Sequence, residues 1–450
     1  MSRTIPFIAV LLAVFLYRSG SMIKNSVLFK TTLPVGYVAN GDYAADCKPL
    51  GPGSEPDPLN ALTYCEDAVL WELYGKVGDA RPSSRLLLTT CDANRKSWNT
   101  VMGPLRDPNP RGTLWVYPST SQRSQPKRVT LKDYPEGHDF HPLGFEVWPS
   151  YGGNSSNLYV INHARERTVI EQFAINPSNP TIAKHIRTIS SPYFVSPNSV
   201  ALTSPDSFYV TNDHLITRRW PIIGPIVPSL ESIFALPLSF ISHVTLKPPS
   251  AEPRSSEIEN HIFAAKFIAF PNGISVSSNG RQAAVASSSL GRVFFYSRDP
   301  ATNILTPQND KTVTLPFCPD NVRFTEGEGE FGEGGEDELL VAGHPHFPSI
   351  IALAKNVPGA TSGSWVVSII PSTGHDQRSF DTQAAVSASQ FVSAGPGYTL
   401  KTLFQSNGEL EEGGFASSTT GIRDPDTGAI YVAGLYAEKG VMECRPKGGL

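Results

Sequence analysis

Residues 157–175 read NLYVINHARERTVIEQFAI: an apolar run with strand character, a short polar turn, and a second run of the same kind. The two runs are rich in Val, Ile, Tyr and Phe, and the turn is charged, which together read as a β-hairpin. The same unit recurs as AAVASSSLGRVFFY (283–296), LLVAGHPHFPSIIAL (339–353) and IYVAGLYAEKGVMEC (430–444). Further strands are expected at 84–90, 113–118, 207–213 and 242–248, and the repeated hairpins place others at 282–289, 292–298, 338–344, 349–355, 428–434 and 440–446. Units of this kind start near residues 86, 158, 208, 283, 339 and 429. Repeated strand hairpins with no helices between them favour a β-propeller. A two-sheet sandwich would use similar strands. The fold class read from the chain is therefore all-β, a six-bladed β-propeller with a short helical or apolar insertion.

Composition agrees with a loop-rich β protein: 39 prolines, 37 glycines and only 17% charged residues in a chain of 450. Lys and Arg total 37 against 41 acidic residues, a formal net charge of -4, which removes an electrostatic argument for nucleic acid as partner. Residues 1–21 have the form of a targeting signal: Arg3, an apolar run from Ile5 to Tyr17, then the small residues Ser19 and Ser21. The run is short for a bilayer span, and it serves as either a cleaved signal peptide or a retained N-terminal anchor. Either way the chain is expected to enter the secretory pathway and to end secreted, lumenal or membrane-anchored. Asn154-Ser155-Ser156 is then a glycosylation acceptor. In that oxidising compartment the five cysteines, Cys47, Cys65, Cys91, Cys318 and Cys444, are expected to form at least one disulfide, with an odd thiol left over.

Two segments break the strand pattern. Residues 214–241 are apolar and interrupted by proline; a short helix is expected there, as a loop over the sheet or a lid that meets lipid. The run EGEGEFGEGGEDE (326–338) reads as a solvated hairpin loop, since alternating Gly and Glu cannot pack a core.

Four segments set oxygen donors beside strand starts: Cys65-Glu66-Asp67, Ser196-Pro197-Asn198-Ser199, Phe270-Pro271-Asn272-Gly273 and Pro319-Asp320-Asn321-Val322. Taken singly, each is a turn. Because they belong to different repeats, equivalent strand ends of a propeller bring Glu66, Asn198, Asn272, Asp320 and Asn321 to the central channel. Two carboxylates and three amides suit a hard cation of flexible coordination, calcium before magnesium. The chain has no C-x-x-C and no evident His or Cys cluster for zinc or copper.

At these residues the chain resembles the serum paraoxonase/arylesterase family, in the manner of a fungal member. The resemblance runs over most of residues 40–446, read as a single propeller domain. It is carried by Cys47, Glu66-Asp67, F-x-P-x-G-F at 140–145 and VINHAR…TVIEQF. It continues through S-x-A-L…FYVTNDH (199–214), FPNGISVSSNG (270–280), PDNV (319–322), GHP (343–345) and Cys444. The resemblance implies a six-bladed propeller with two channel calcium ions, hydrolysis of lactones and aryl esters, and a Cys47–Cys444 disulfide that closes the ring. It also implies that Glu66, Asn198, Asn272, Asp320 and Asn321 hold the catalytic calcium, and that Asp67 and the carbonyl of Phe145 serve the structural one. The family's second aspartate is Ser199 here, and a second calcium is accordingly expected to be weak or absent. His163 matches one member of the family's histidine pair, while Leu143 stands where the other belongs. His214 and His344 match channel-lining histidines.

The reaction expected from this set is attack of water on an ester carbonyl polarised by calcium, with a histidine as general base. His163 is the candidate. His141, two residues before Leu143, is the candidate substitute because an extended strand would turn both to one side, and His138 is expected to face solvent. Small esters or lactones are the expected substrates, with lipid-surface contact through 214–241. The alternatives are a non-hydrolytic calcium-binding propeller, or another lactone hydrolase or strictosidine-synthase-like enzyme on the same scaffold.

Overall fold

Three of the four expected hairpins are the second and third strands of longer antiparallel meanders in the computed structural model. It describes residues 4–39, 47–51, 61–118, 125–250, 256–325, 338–371, 378–380 and 398–446. The acidic run expected as a hairpin loop therefore lies, except for Glu338, outside the described residues. The elements that position the site are, in chain order, α1 (Thr4–Met22), β1 (Cys47–Pro49), β2 (Cys65–Tyr74), β3 (Pro142–Val147) and β4 (Pro197–Ser204). They continue with α2 (Val227–Ile233), β5 (Pro271–Val276), β6 (Cys318–Thr325), α3 (Phe347–Ala354), β7 (Ser418–Arg423) and β8 (Val441–Cys444).

Strands β2 to β7 each open a meander. After β2 come Ser84–Cys91, Thr113–Pro118 and Lys127–Lys132; after β3 come Ser156–Asn162, Val169–Asn176 and Asn179–Ile189. A short parallel pairing of 182–184 with 130–132 joins these two meanders, and with Ser150–Tyr151 paired to β2 they form one nine-stranded sheet. β4 leads Ser207–Asn212, Ser239–Leu246 and Ile258–Ile268, and β5 leads Gln282–Ser287, Arg292–Arg298 and Leu305–Pro307. β6 leads Glu338–His344, Ser364–Pro371 and Tyr398–Ser406, with Tyr37–Ala39 added at its edge. The last meander, β7, Ile430–Gly434 and β8, is completed by β1 from the other end of the chain. Successive opening strands pack side by side and the last lies against the first, so they close a ring around an axis. This is an all-β propeller. The hydrophobic clusters sit between neighbouring sheets, where Trp71, Trp365, Tyr159 and Phe145 are fully buried.

The opening strands share one irregularity. Pairing with the following strand slips between Cys65 and Asp67, Pro142 and Phe145, Pro197 and Val200, Pro271 and Ile274, Pro319 and Val322, and Ser418 and Thr420. Proline suits the first residue of a strand, where its missing N–H removes no ladder bond. The bulge after it re-aims the intervening side chains. Close approach of these strands needs glycine: a Cβ on Gly144 would meet the Asn198 carbonyl at 2.2 Å, and one on Gly273 would meet Asn321 Cα at 2.5 Å.

One expected strand is a helix. Of the residues expected as a strand at 349–355, all but Lys355 fall in α3, which starts with Pro348 in its first turn and buries Ile350 and Ala354, four residues apart on one face. The true partner of Glu338–His344 is Ser364–Pro371. The insertion 214–241 does contain a short helix, α2. The expected Cys47–Cys444 disulfide is formed, and Cys65–Cys91 is a second; Cys318 is free and buried. No helix among the described residues is long and apolar enough to cross a membrane, although α1 takes up most of the expected signal segment.

Candidate functional site

At one end of the ring a cavity of about 220 Å³ is floored by the opening strands and walled by α2, α3 and residues 99–102. Glu66, Asn198, Asn272 and Asp320 line its floor, and Leu143, Phe270, Ile233, Phe347, Ile350 and Leu435 give it apolar walls. Each floor residue sits within the bulged start of its strand, which is how residues from four repeats converge. Of the five residues expected at the channel, Glu66, Asn198, Asn272 and Asp320 line this floor. Asn321 lies just below the lining, its Nδ2 donating to Glu66 Oε1 at 2.9 Å and to Thr420 Oγ1 at 3.0 Å.

The hydrogen bonding of this set is one-sided. Asn198 Nδ2 donates to Asp213 Oδ2 at 3.2 Å and Asn272 Nδ2 donates to Ser288 Oγ at 3.1 Å. Their carbonyl oxygens Oδ1, with Asn321 Oδ1 and Glu66 Oε2, are buried and find no hydrogen-bond partner among the described residues. Buried acceptors are normally satisfied, so four such oxygens in one set call for a donor or a cation. Burial, then the charges of Asp67 and Asp320, hold the Glu66 carboxyl well above the usual carboxylate range. Burial and Asp320 do the same to Asp213. Among the described residues no group of three or more His, Cys, Asp or Glu is placed to hold a metal. The donors here are carboxylate and amide oxygens, the chemistry of a hard cation.

The histidines divide differently from expectation. His163 does not line the cavity. Its Nε2 lies 2.9 Å from the Pro197 carbonyl, which can only accept, so Nε2 carries the proton; Nδ1 is in short contact with Thr100 Oγ1. Burial pushes its pKa down to about 3. With both nitrogens engaged, it has no free lone pair for a proton from water. His141 does not line the cavity either: its Nδ1 is 2.8 Å from Asp92 Oδ2, and its ring packs near Trp98. The bulge between Pro142 and Phe145 breaks the strand alternation that would have set it beside Leu143, which does line the cavity. His138, expected in solvent, is instead 2.7 Å from the buried carboxylate of Glu171. His344 and His214 both line the cavity. His344 Nε2 is 2.8 Å from Asp320 Oδ2, and its Nδ1 is buried without a hydrogen-bond partner among the described residues. His214 Nε2 is 2.8 Å from Ser232 Oγ, and burial pushes its pKa down to about 3.

Asp67 and Phe145, expected around a second cation, meet Arg323 instead. Its Nη2 lies 2.5 Å from Asp67 Oδ2 and 3.3 Å from the Phe145 carbonyl oxygen. A guanidinium between these oxygens does not fit a metal held by the same pair. Sequence reasoning missed Arg323, and it missed Asp213 and Ser288, which orient the floor amides. Asp213 carried a signal in its place next to His214 in TNDH; Ser288 carried none. Asn154 is exposed on the turn before Ser156–Asn162, as a glycosylation acceptor must be.

A ring of strands with an oxygen-lined floor beneath an apolar cavity defines a propeller with one candidate centre at its axis. The arylesterase family model matches residues 106–379, more than half of the chain, and the chain belongs to that family. It is similar to serum paraoxonase/arylesterase 1 of Mus musculus, 26% identical over 49% of this chain and 54% of that protein. The Homo sapiens serum paraoxonase/arylesterase 1 is 24% identical over the same shares. The chain thus spans about half the length of the curated relatives it matches. Among solved structures, a luciferin-regenerating enzyme superposes with a TM-score of 0.42 at 12% identity, over 86% of this chain and 92% of its own.

Proposed function

We propose that this protein is a calcium-dependent hydrolase of lactones and aryl esters, with Glu66, Asn198, Asn272, Asp320 and Asn321 as the calcium ligands. The observation that carries the reading is the set of four buried, unpartnered oxygens on the cavity floor. A bound calcium ion would supply Lewis acidity toward a carbonyl oxygen. The chain's own residues do the rest. Asp213, Ser288 and Thr420, the last together with Glu66, hold the three amides with their oxygens turned free. Leu143, Phe270, Ile350 and Leu435 exclude water and receive an apolar acyl or aryl group. His344, steadied through Nε2 by Asp320 and with Nδ1 unpartnered, takes the base role first expected of His163 or His141.

The same reading extends to the whole chain. Counting the nine-stranded sheet as two meanders gives six blades over residues 40–446. Residues 1–21 act as a signal peptide or retained anchor, and the protein follows the secretory route, carrying its two disulfides and a glycan at Asn154. The apolar residues 214–241 meet a lipid surface.

The test is turnover of phenyl acetate and a lactone panel by the full chain, with excess calcium and with chelator. Asn272→Ala is expected to raise the calcium concentration for half-maximal activity by about tenfold or more. Calcium binding without turnover of any of these substrates would reject the hydrolase. It would favour a non-hydrolytic calcium-binding propeller, the reading that Leu143 on the cavity wall supports.

A further inference from the structure

Glu66 and Asp67 are adjacent buried acids with opposite fates. Glu66 Oε2 has no hydrogen-bond partner among the described residues. Asp67 is surrounded: Oδ1 accepts from Ala68 N at 2.8 Å and Thr420 Oγ1 at 3.0 Å, and Oδ2 accepts from Phe145 N at 3.1 Å and Arg323 Nη2 at 2.5 Å. A carboxylate offers about four lone-pair directions, so this one has none left for a metal.

Arg323 engages the same oxygens through its two terminal nitrogens, while its Nε is buried without a hydrogen-bond partner among the described residues. Its Nη2 touches both Asp67 Oδ2 and the Phe145 carbonyl oxygen, and its Nη1 donates to Glu146 Oε2 at 2.8 Å. The head group therefore ties β6 to β2 and β3, and Thr420 brings in β7 through the same carboxylate. Oxygens around calcium lie about 2.3–2.6 Å from the ion. Nη2 already occupies the space from which one ion would reach both Asp67 and Phe145. Charge points the same way. At Ser199 the chain has a neutral hydroxyl, its Oγ accepting from Ile274 N at 3.4 Å, so no second carboxylate joins Asp67 from that strand.

We propose that the Arg323 guanidinium is a built-in structural cation at the centre of the ring, filling the place of a second metal ion. The protein then carries one exchangeable divalent cation, at the cavity floor. Metal removal empties that floor and leaves the tie between β2, β3, β6 and β7 intact.

The inference rests on the proposed calcium site only for the count of one, and the experiment separates the two. Full-length chain is stripped with chelator, dialysed against excess calcium, and its bound calcium measured by elemental analysis. Wild type is expected to hold one ion per chain. The double variant Ser199→Asp/Arg323→Ser, which restores a carboxylate and removes the guanidinium, is expected to hold one ion more than wild type. Two ions on wild type, falling to one in Asp67→Asn, would overturn the proposal, as would a folded double variant that gains none. Zero ions on wild type would reject the floor site; a gain of one by the double variant would still support the guanidinium's role. Should the double variant not fold, the wild-type comparison with Asp67→Asn decides.

Discussion

His163 and His344 make opposite predictions when each is replaced by glutamine. His163 bridges Thr100 and the Pro197 carbonyl in a buried position, so His163→Gln is expected to cost about 1–3 kcal/mol of stability and leave the pH profile of turnover unchanged. His344→Gln is expected to lower turnover by about 10²–10⁴-fold, with little change in melting temperature. The reverse pattern would return the base role to His163. The residues on the cavity floor were legible because Asn198, Asn272 and Asp320 each follow a proline, and Glu66 a cysteine, at a strand start. Arg323 was not legible. No motif marks it, and its partner Asp67 is 256 residues away. His141 was misplaced for a local reason: strict alternation was assumed where the backbone bulges.

Among the elements, the hairpin 157–175 was read for its strands, but its turn side carries a buried charge. Glu171 accepts from His138, His185, Thr188 and Asn162. Burial opposes its ionisation, yet these bonds prevail and hold its pKa down to about 2. A depressed carboxyl stabilises the fold above its unfolded value of about 4.3, and the contribution fades as pH falls toward 2. The Glu171 bond raises the pKa of His138, whose contribution is present below about 6.5 and is lost as pH rises through the raised value. Urea melts of Glu171→Gln should show a loss on the order of 3 kcal/mol near pH 5 to 6, with a smaller difference from wild type at pH 2. An equal difference at both pH values would count against the network. Helix α3 escaped the sequence reading because the short continuous apolar run 350–354 suits a buried strand or a helix equally. The insertion was legible as apolar, but its exposure was not. Ile222 is 85% exposed and Ile226 57%, beside the cavity rim formed by α2, and Phe234 meets Phe15 of α1. Ile222→Glu/Ile226→Glu should weaken flotation with phosphatidylcholine vesicles while leaving the soluble-ester rate unchanged. Equal flotation would end the lipid-surface reading.

At the scale of the whole molecule, closure of the ring joins residues that are 397 apart in sequence, through the Cys47–Cys444 disulfide and the pairing of β1 with β8. The Cys65–Cys91 disulfide spans only 26 residues and staples β2 to its own neighbour, beside Glu66. If cross-links act mainly by restricting the unfolded chain, the long loop should contribute about 2 kcal/mol more than the short one. Cys47→Ala/Cys444→Ala is therefore expected to lose more stability in urea than Cys65→Ala/Cys91→Ala. Calcium affinity should follow the opposite order. Removing the short link frees the strand start that aims Glu66 at the cavity floor, whereas opening the ring leaves β2 paired with its sheet. A scaffold closed by one disulfide and tied at its centre by Arg323 would keep its blades together without metal. Equal stability losses in the two variants would mean that strand pairing alone closes the ring. A larger loss of calcium affinity in the ring-opened variant would show that the floor depends on closure as a whole, against the local anchoring argued for Cys65–Cys91.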